Sequence, residues 1–302
     1  MVAAHGDPPA VARQRVRRVL RALRRDQPDS LTQGDVARHL GWSLSKMQRI
    51  EGGEVGVSPT DLRALLHVYH VTDPDEVDRL MEDARVSRRQ RYVTAPEHRM
   101  HLTTGLQKLM QFEEQAVSIR IYQPASVPGI LQTPAVAEAM LAFWGNSLSE
   151  ETLRVRHRAR MSRRKQVVER IDGPEYLIIL DESVIKRQFG NAKITAEQLE
   201  DIAALALQPR MHIRIVPFAK GAHMPALGPF QILTLSGDDG DDVLYREEFD
   251  RDEIVHGSDE VDFRRDAFEK LWDEALSEDA TRRAVIAEAA LLLASLDRER
   301  LL

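Results

Sequence analysis

Twenty residues, TQGDVARHLGWSLSKMQRIE from Thr32 to Glu51, constrain the chain more than any other stretch. Val36, Leu40, Trp42, Met47 and Ile50 fall on one face only if two short helices meet at a tight turn around Gly41. Ala37 then sits where the helices approach and a larger side chain would separate them. Gly41 can adopt a positive φ without steric cost, and Ser43 is placed to cap the second helix. Burying that face leaves Leu44, Ser45, Gln48 and Arg49 on the outside, with Ser43 and Lys46 completing the exposed first turn. The arrangement predicts a helix-turn-helix whose second helix enters the major groove of double-stranded DNA. Arg49 suits a bidentate contact to a guanine edge, Gln48 an adenine, and Leu44 a thymine methyl. Gln33, at the start of the preceding helix, is expected at a phosphate, where it would set register rather than sequence.

The rest of the first ninety residues reads as all-α, with five short helices in total. Val16, Val19, Leu20 and Leu23 repeat at helical spacing, and Ser58-Pro59 and Asp73-Pro74 each pair a capping residue with a proline suited to the first helical position. Leu62, Leu65, Leu66 and Tyr69 form one stripe, and Val77, Leu80, Met81 and Ala84 the next. Around residues 85–99 the periodicity stops and basic residues with a proline take over, which predicts a linker. The expected division is residues 1–91 as the DNA-binding domain and 92–302 as a mixed α/β regulatory and dimerisation domain. Expected strands are 117–122, 176–180, 212–217, 230–235 and 243–246, interleaved with helices over 102–114, 135–144, 150–171, 196–207, 261–276 and 279–296. The GDDGDD segment, 237–242, is expected as a turn.

The charge distribution agrees with this division. The whole chain carries a formal charge of -6. Residues 1–91, however, hold 16 Lys and Arg against 13 Asp and Glu, and the remainder 26 against 35. The first part is the one expected to meet DNA. Seven arginines between 13 and 25 suit phosphate contacts or a solvated face. A second basic run, 154–165, lies in the acidic part and reads first as a solvated or internally paired helix, with an acidic partner protein or flanking DNA as alternatives.

The chemistry that the sequence excludes is broad. There is no cysteine, so disulfides, thiolate metal sites and a cysteine nucleophile are ruled out. There is no G-x-S-x-G, phosphate-loop, dinucleotide or H-E-x-x-H pattern. The S-x-x-K matches at Ser43 and Ser183 lack the companion motifs of serine acyl-enzymes. His67 with His70 and His98 with His101 lack an evident third ligand, and the acidic turn lacks the order of a calcium loop. The expectation is a chain with no catalytic apparatus, cofactor or metal. No signal-like or membrane-spanning apolar run appears, so a cytoplasmic protein without membrane contact is expected.

Thr32 to Gly53, with the flanks Leu31-Thr32-Gln33 and Ile50-Glu51-Gly52-Gly53, resembles the helix-turn-helix of xenobiotic-response-element (XRE) regulators; that family more often has Glu-Asn-Gly where Gly52 stands here. Val127 to Thr133 (VPGILQT), the basic helix around 156–166, Tyr176 to Ser183, Gln198-Leu199, Ile213 to His223 and Gly228 to Phe230 resemble the C-terminal domain of actinobacterial WhiJ-like regulators. The resemblance implies a DNA-binding transcriptional regulator, in some members paired like an antitoxin with a small acidic protein. VPGILQT reads first as a structural turn. In the functional alternative Tyr122, Pro128, Gly129 and Leu131 wall a surface for a small-molecule effector or partner protein. An operator read by one helix per half-site calls for a homodimer. The helix bearing Val261, Phe263, Phe268, Leu271 and Trp272 reads as cover for its own sheet, and Leu291 to Leu296 as the dimer seam. Two rivals stand beside the regulator: an antitoxin-like scaffold that sequesters its partner, and an enzyme with an appended DNA-binding module.

Overall fold

The computed structural model describes residues 9–27, 31–53, 55–88, 100–143, 145–170, 172–220, 227–235, 242–247, 252–256 and 259–300. The chain divides into two compact units, 1–94 and 95–302. Most of the expected linker, from residue 89 to 99, lies outside the described residues.

The N-terminal unit is helical: α1 (Pro9–Arg25), α2 (Gln33–Leu40), α3 (Leu44–Glu51), α4 (Pro59–Val68) and α5 (Pro74–Ser87). Each start after α1 has a local cause. Thr32, Ser43, Ser58 and Asp73 cap the four helices, and Pro59 and Pro74 take the first helical positions. The α2 cap is reciprocal, with the Asp35 amide donating to the Thr32 hydroxyl at 3.2 Å and the Thr32 amide to the Asp35 carboxylate at 3.0 Å. Those bonds from Thr32 hold the Asp35 carboxyl below its usual range. The apolar stripes converge on one core that includes Val16, Leu20, Val36, Met47, Ile50, Leu62, Leu65, Leu66, Leu80 and Met81.

The C-terminal unit is α/β. It contains α6 (Thr104–Glu113), β1 (Ala116–Gln123), α7 (Pro134–Ala142), α8 (Glu150–Glu169), β2 (Glu175–Asp181), α9 (Glu182–Lys186), α10 (Ala192–Leu205), β3 (Met211–Val216), β4 (Phe230–Leu235), β5 (Asp242–Glu247), β6 (Asp252–His256), α11 (Asp259–Glu274) and α12 (Glu278–Arg300). The strands form one mixed sheet in the order β3-β2-β1-β4-β5-β6. β1, β2 and β3 run parallel through helical crossovers, and β4, β5 and β6 extend the sheet antiparallel. The strand β6 and the short α9 had no counterpart among the expected elements. The expected turn before β5 lies outside the described residues except for Asp242.

On one face of the sheet Tyr122, Ile179, Val216, Phe230, Ile232 and Leu244 pack under Val261, Phe268 and Leu271 of α11. That helix covers its own sheet as expected, although Phe263 points to solvent at 60% exposure. The edge strand β3 is closed by the junction before α12. There the Ile215 amide donates to the Thr281 hydroxyl at 3.0 Å, and the Leu276 amide to the Ile215 carbonyl at 2.8 Å. At the opposite edge, Gly105 lies so close to β6 that a Cβ there would stand 2.4 Å from the Cβ of Asp252. Only glycine lets α6 approach.

Candidate nucleic-acid interface

α2 ends in a left-handed Gly41 at φ 66°, whose amide reaches back to the carbonyls of Ala37 and Arg38. The Trp42 amide donates to the Ala37 carbonyl at 2.8 Å, and Ser43 then opens α3 by accepting from the Lys46 amide at 3.1 Å. Ala37 is 2% exposed at the crossing, and Met47 and Ile50 are buried. This is the turn the sequence predicts. Losing the cap through Ser43→Ala should cost about 1 kcal/mol of stability in this unit, measurable by denaturant titration.

The outer face of α3 carries Ser43, Leu44, Ser45, Gln48 and Arg49, all exposed, with Leu44 at 48%. An exposed leucine among polar groups at a helix start is unfavourable in water and suits a thymine methyl. Lys46 behaves differently from this set. Its ammonium bonds Asp61 at 2.8 Å and lies 3.7 Å from the centroid of the Trp42 ring, so it ties α3 to α4 and to the turn. Gln33 also turns inward, its amide donating to Glu51 at 2.7 Å.

Glu51 organises the back of the motif. Its side chain is 2% exposed and accepts a fork from Arg24 at 2.7 and 2.9 Å, while Arg24 also donates to the Leu31 carbonyl. The hydrogen bonds to Glu51 hold the Arg24 guanidinium more firmly protonated. Other arginines of α1 are likewise structural: Arg15 pairs with Asp83, Arg13 donates to the Ser87 carbonyl, and Arg17, 2% exposed, donates to Gln14. The sequence marked these as phosphate-contact candidates because spacing shows which face a residue occupies, but not which acid will fold against it.

The second expected surface has no open counterpart. Tyr122 and Leu131 are fully buried, and Pro128 is buried as well. Tyr122 packs against Phe230, the rings tilted 48° to each other, in the core under α11, where burial raises its hydroxyl pKa. Leu131 offers its carbonyl to Gln198 at 2.9 Å and to Arg164 at 2.7 Å. Gly129 is partly exposed beside Arg160 and Arg163. The four residues do not form one wall, and the VPGILQT turn is held from within.

The basic run explains that turn. Arg156, Arg160, Arg163 and Arg164 project inward from α8 to the His101 carbonyl, the Gln132 side chain, the Glu113 carboxylate and Asp201. Arg154 and Lys165 stay outside in i,i+4 pairs with Glu150 and Glu169. Of the alternatives for this run, internal pairing is what the fold uses for the four inward arginines. Among the described residues, no group of three acidic or histidine side chains is arranged to hold a metal, and no helix is long and apolar enough to cross a membrane.

A capped recognition helix on a tight left-handed turn defines the N-terminal unit as a helix-turn-helix DNA-binding domain, and a helix-turn-helix domain model matches residues 15–80. A second model, for a domain of unknown function (DUF5753), matches residues 106–287, more than half of the chain, and the protein belongs to that family. Comparison with curated proteins and with solved structures finds no match.

Proposed function

We propose that the protein is a sequence-specific transcriptional regulator that binds its operator as a homodimer. Its C-terminal unit receives the signal, a small molecule or a small acidic partner protein, the latter being what the WhiJ-like resemblance implies for some members. The observation that carries the DNA reading is the division of α3: Met47 and Ile50 are buried while Leu44, Ser45, Gln48 and Arg49 remain outside. Two recognition helices about 34–36 Å apart would reach successive half-sites on one side of the duplex. A signal acts by binding more tightly to one relative pose of the two DNA-binding units than to another. No catalytic step is assigned to the chain. The resemblance also carries the antitoxin-like alternative, which a small protein co-purifying in fixed ratio from native cells would favour.

The test is binding of the full chain to an operator selected from genomic fragments, followed by a panel of single-base variants. Arg49→Ala should cost about 1–3 kcal/mol and relax preference at one position of each half-site. Gln33→Ala, which removes a bond that steadies Glu51 behind α3 rather than a base contact, should weaken every sequence alike. A uniform loss for Arg49→Ala reassigns that residue to a phosphate. Absence of any salt-sensitive, sequence-dependent affinity in the wild type overturns the proposal.

A further inference from the structure

The recognition helix carries two cations, Lys46 and Arg49, and they are placed differently. Arg49 stands on the outer face. At 100° per residue Lys46 falls between Arg49 and the buried Ile50, on the flank of α3 and in its first turn. An α-helix with its side chains is about 10–12 Å across and the major groove about 12 Å wide, so a helix lying in the groove brings its flanks against the walls. Those walls are the phosphate backbones. A lysine in this place would ordinarily neutralise a phosphate.

In the folded chain it is already neutralised. Asp61, in the first turn of α4, accepts from the Lys46 ammonium at 2.8 Å, and the same ammonium lies 3.7 Å from the centroid of the Trp42 ring. Folding stability gives little reason for the pair. The two side chains remain 38% and 28% exposed, and an ion pair so open to water contributes little. Its effect falls on DNA binding, because a carboxylate at the groove wall repels the phosphates and occupies the ammonium that would attract them. We infer that Asp61 is an affinity-limiting residue, which withholds Lys46 from the phosphate backbone so that this flank of α3 enters the groove without net charge. Operator and unrelated duplex are weakened alike, since a phosphate contact carries no sequence information. A weaker complex is released by a signal with a smaller differential affinity for the two poses.

This inference rests on the DNA reading of the proposed function, and the two fail separately. The measurement is fluorescence anisotropy of the full chain on the selected operator and on an unrelated duplex of equal length, at salt concentrations from about 50 to about 200 mM. Asp61→Asn keeps the size of the side chain and frees the ammonium. It should tighten both duplexes, with a gain about 3.5 times larger at the low-salt end than at the high-salt end, as one further phosphate contact requires. Lys46→Met together with Asp61→Asn should return both affinities to wild-type values. Asp78→Asn, which removes an exposed carboxylate from α5, should change neither. Circular dichroism checks that each variant is folded, and Asp61→Ser replaces Asp61→Asn should the latter unfold. Wild-type affinity in Asp61→Asn overturns the inference. A double variant weaker than wild type also overturns it, because Lys46 would then reach DNA with Asp61 in place. An equal gain from Asp78→Asn would reduce the effect to net charge, and a gain confined to certain single-base variants would make Lys46 a base reader; either result overturns it. A wild type without salt-sensitive affinity overturns the DNA reading itself, and the role of Asp61 with it.

Discussion

Replacing Glu113 with alanine is expected to destabilise the C-terminal unit by about 3–5 kcal/mol, because it strands a buried charge. Arg163 on α8 has a side chain only 9% exposed, and it forks onto Glu113 of α6, itself 11% exposed, at 2.5 and 2.9 Å. Burial works against the guanidinium charge, but the charge and hydrogen bonds of Glu113 outweigh it and keep Arg163 firmly protonated. Without the carboxylate, the guanidinium must either stay buried unpaired or drag α8 toward water. Because α8 also holds the VPGILQT turn through Arg160 and Arg164, hydrogen exchange should quicken at residues 127–133 as well as at α6. The double replacement Glu113→Leu with Arg163→Met should recover most of the loss, since an apolar pair of similar volume removes both desolvation costs. A loss below about 1 kcal/mol for Glu113→Ala would place the pair energetically with solvated surface bridges.

Glu51→Ala should be comparably severe in the N-terminal unit, at about 3–5 kcal/mol. Glu51 receives Arg24 from α1 and Gln33 from α2 at the C-terminal end of the recognition helix, so one carboxylate sets the positions of three helices. Its removal should lower operator affinity beyond the loss of folded protein, because the orientation of α3 depends on it. Urea titration separates the two effects, with affinity measured where the variant is still fully folded. The contrast is Lys46→Met. The Lys46–Asp61 bridge is 38% and 28% exposed, and its loss should cost about 0–1 kcal/mol. Equal effects of the two substitutions would mean that the Glu51 cluster is as solvated as the Lys46 bridge.

The helix-turn-helix was legible because its constraints are local. A small residue at the crossing, a glycine at φ 66° and a capping serine act within twenty residues, and each has few substitutes. The five expected strands fall on β1 to β5 for a similar reason, since buried strands need apolar runs bounded by turn residues. The strand β6 has no such run. DEIVH is half polar, and all five residues are only partly buried. It is a strand because β5 offers it an antiparallel edge and Gly105 lets α6 cover it. The start of α10 was placed late for a different reason: AKIT has no strong periodicity, and what marks the start is a local cap, the Asn191 side chain accepting from the Ile194 amide at 2.9 Å, which periodicity does not show.

The sequence by itself determined the class of each unit, the turn between α2 and α3, and which side chains of α3 face outward. All of these follow from periodicity, capping chemistry and the conformational freedom of glycine, which act over a few residues. Only the tertiary structure decided the partners of the charges. Arginine spacing on α1 and α8 shows a basic face, yet Arg15 meets Asp83, Arg24 meets Glu51 and Arg163 meets Glu113 across 68, 27 and 50 residues. Apolar burial brings those elements together, and a charge carried inside with them must find its counterion or remain unfavourable. The same cause fixed VPGILQT: the linear reading put it first as a structural turn, but the arginines and the glutamine that hold it are brought within reach only by the folded chain.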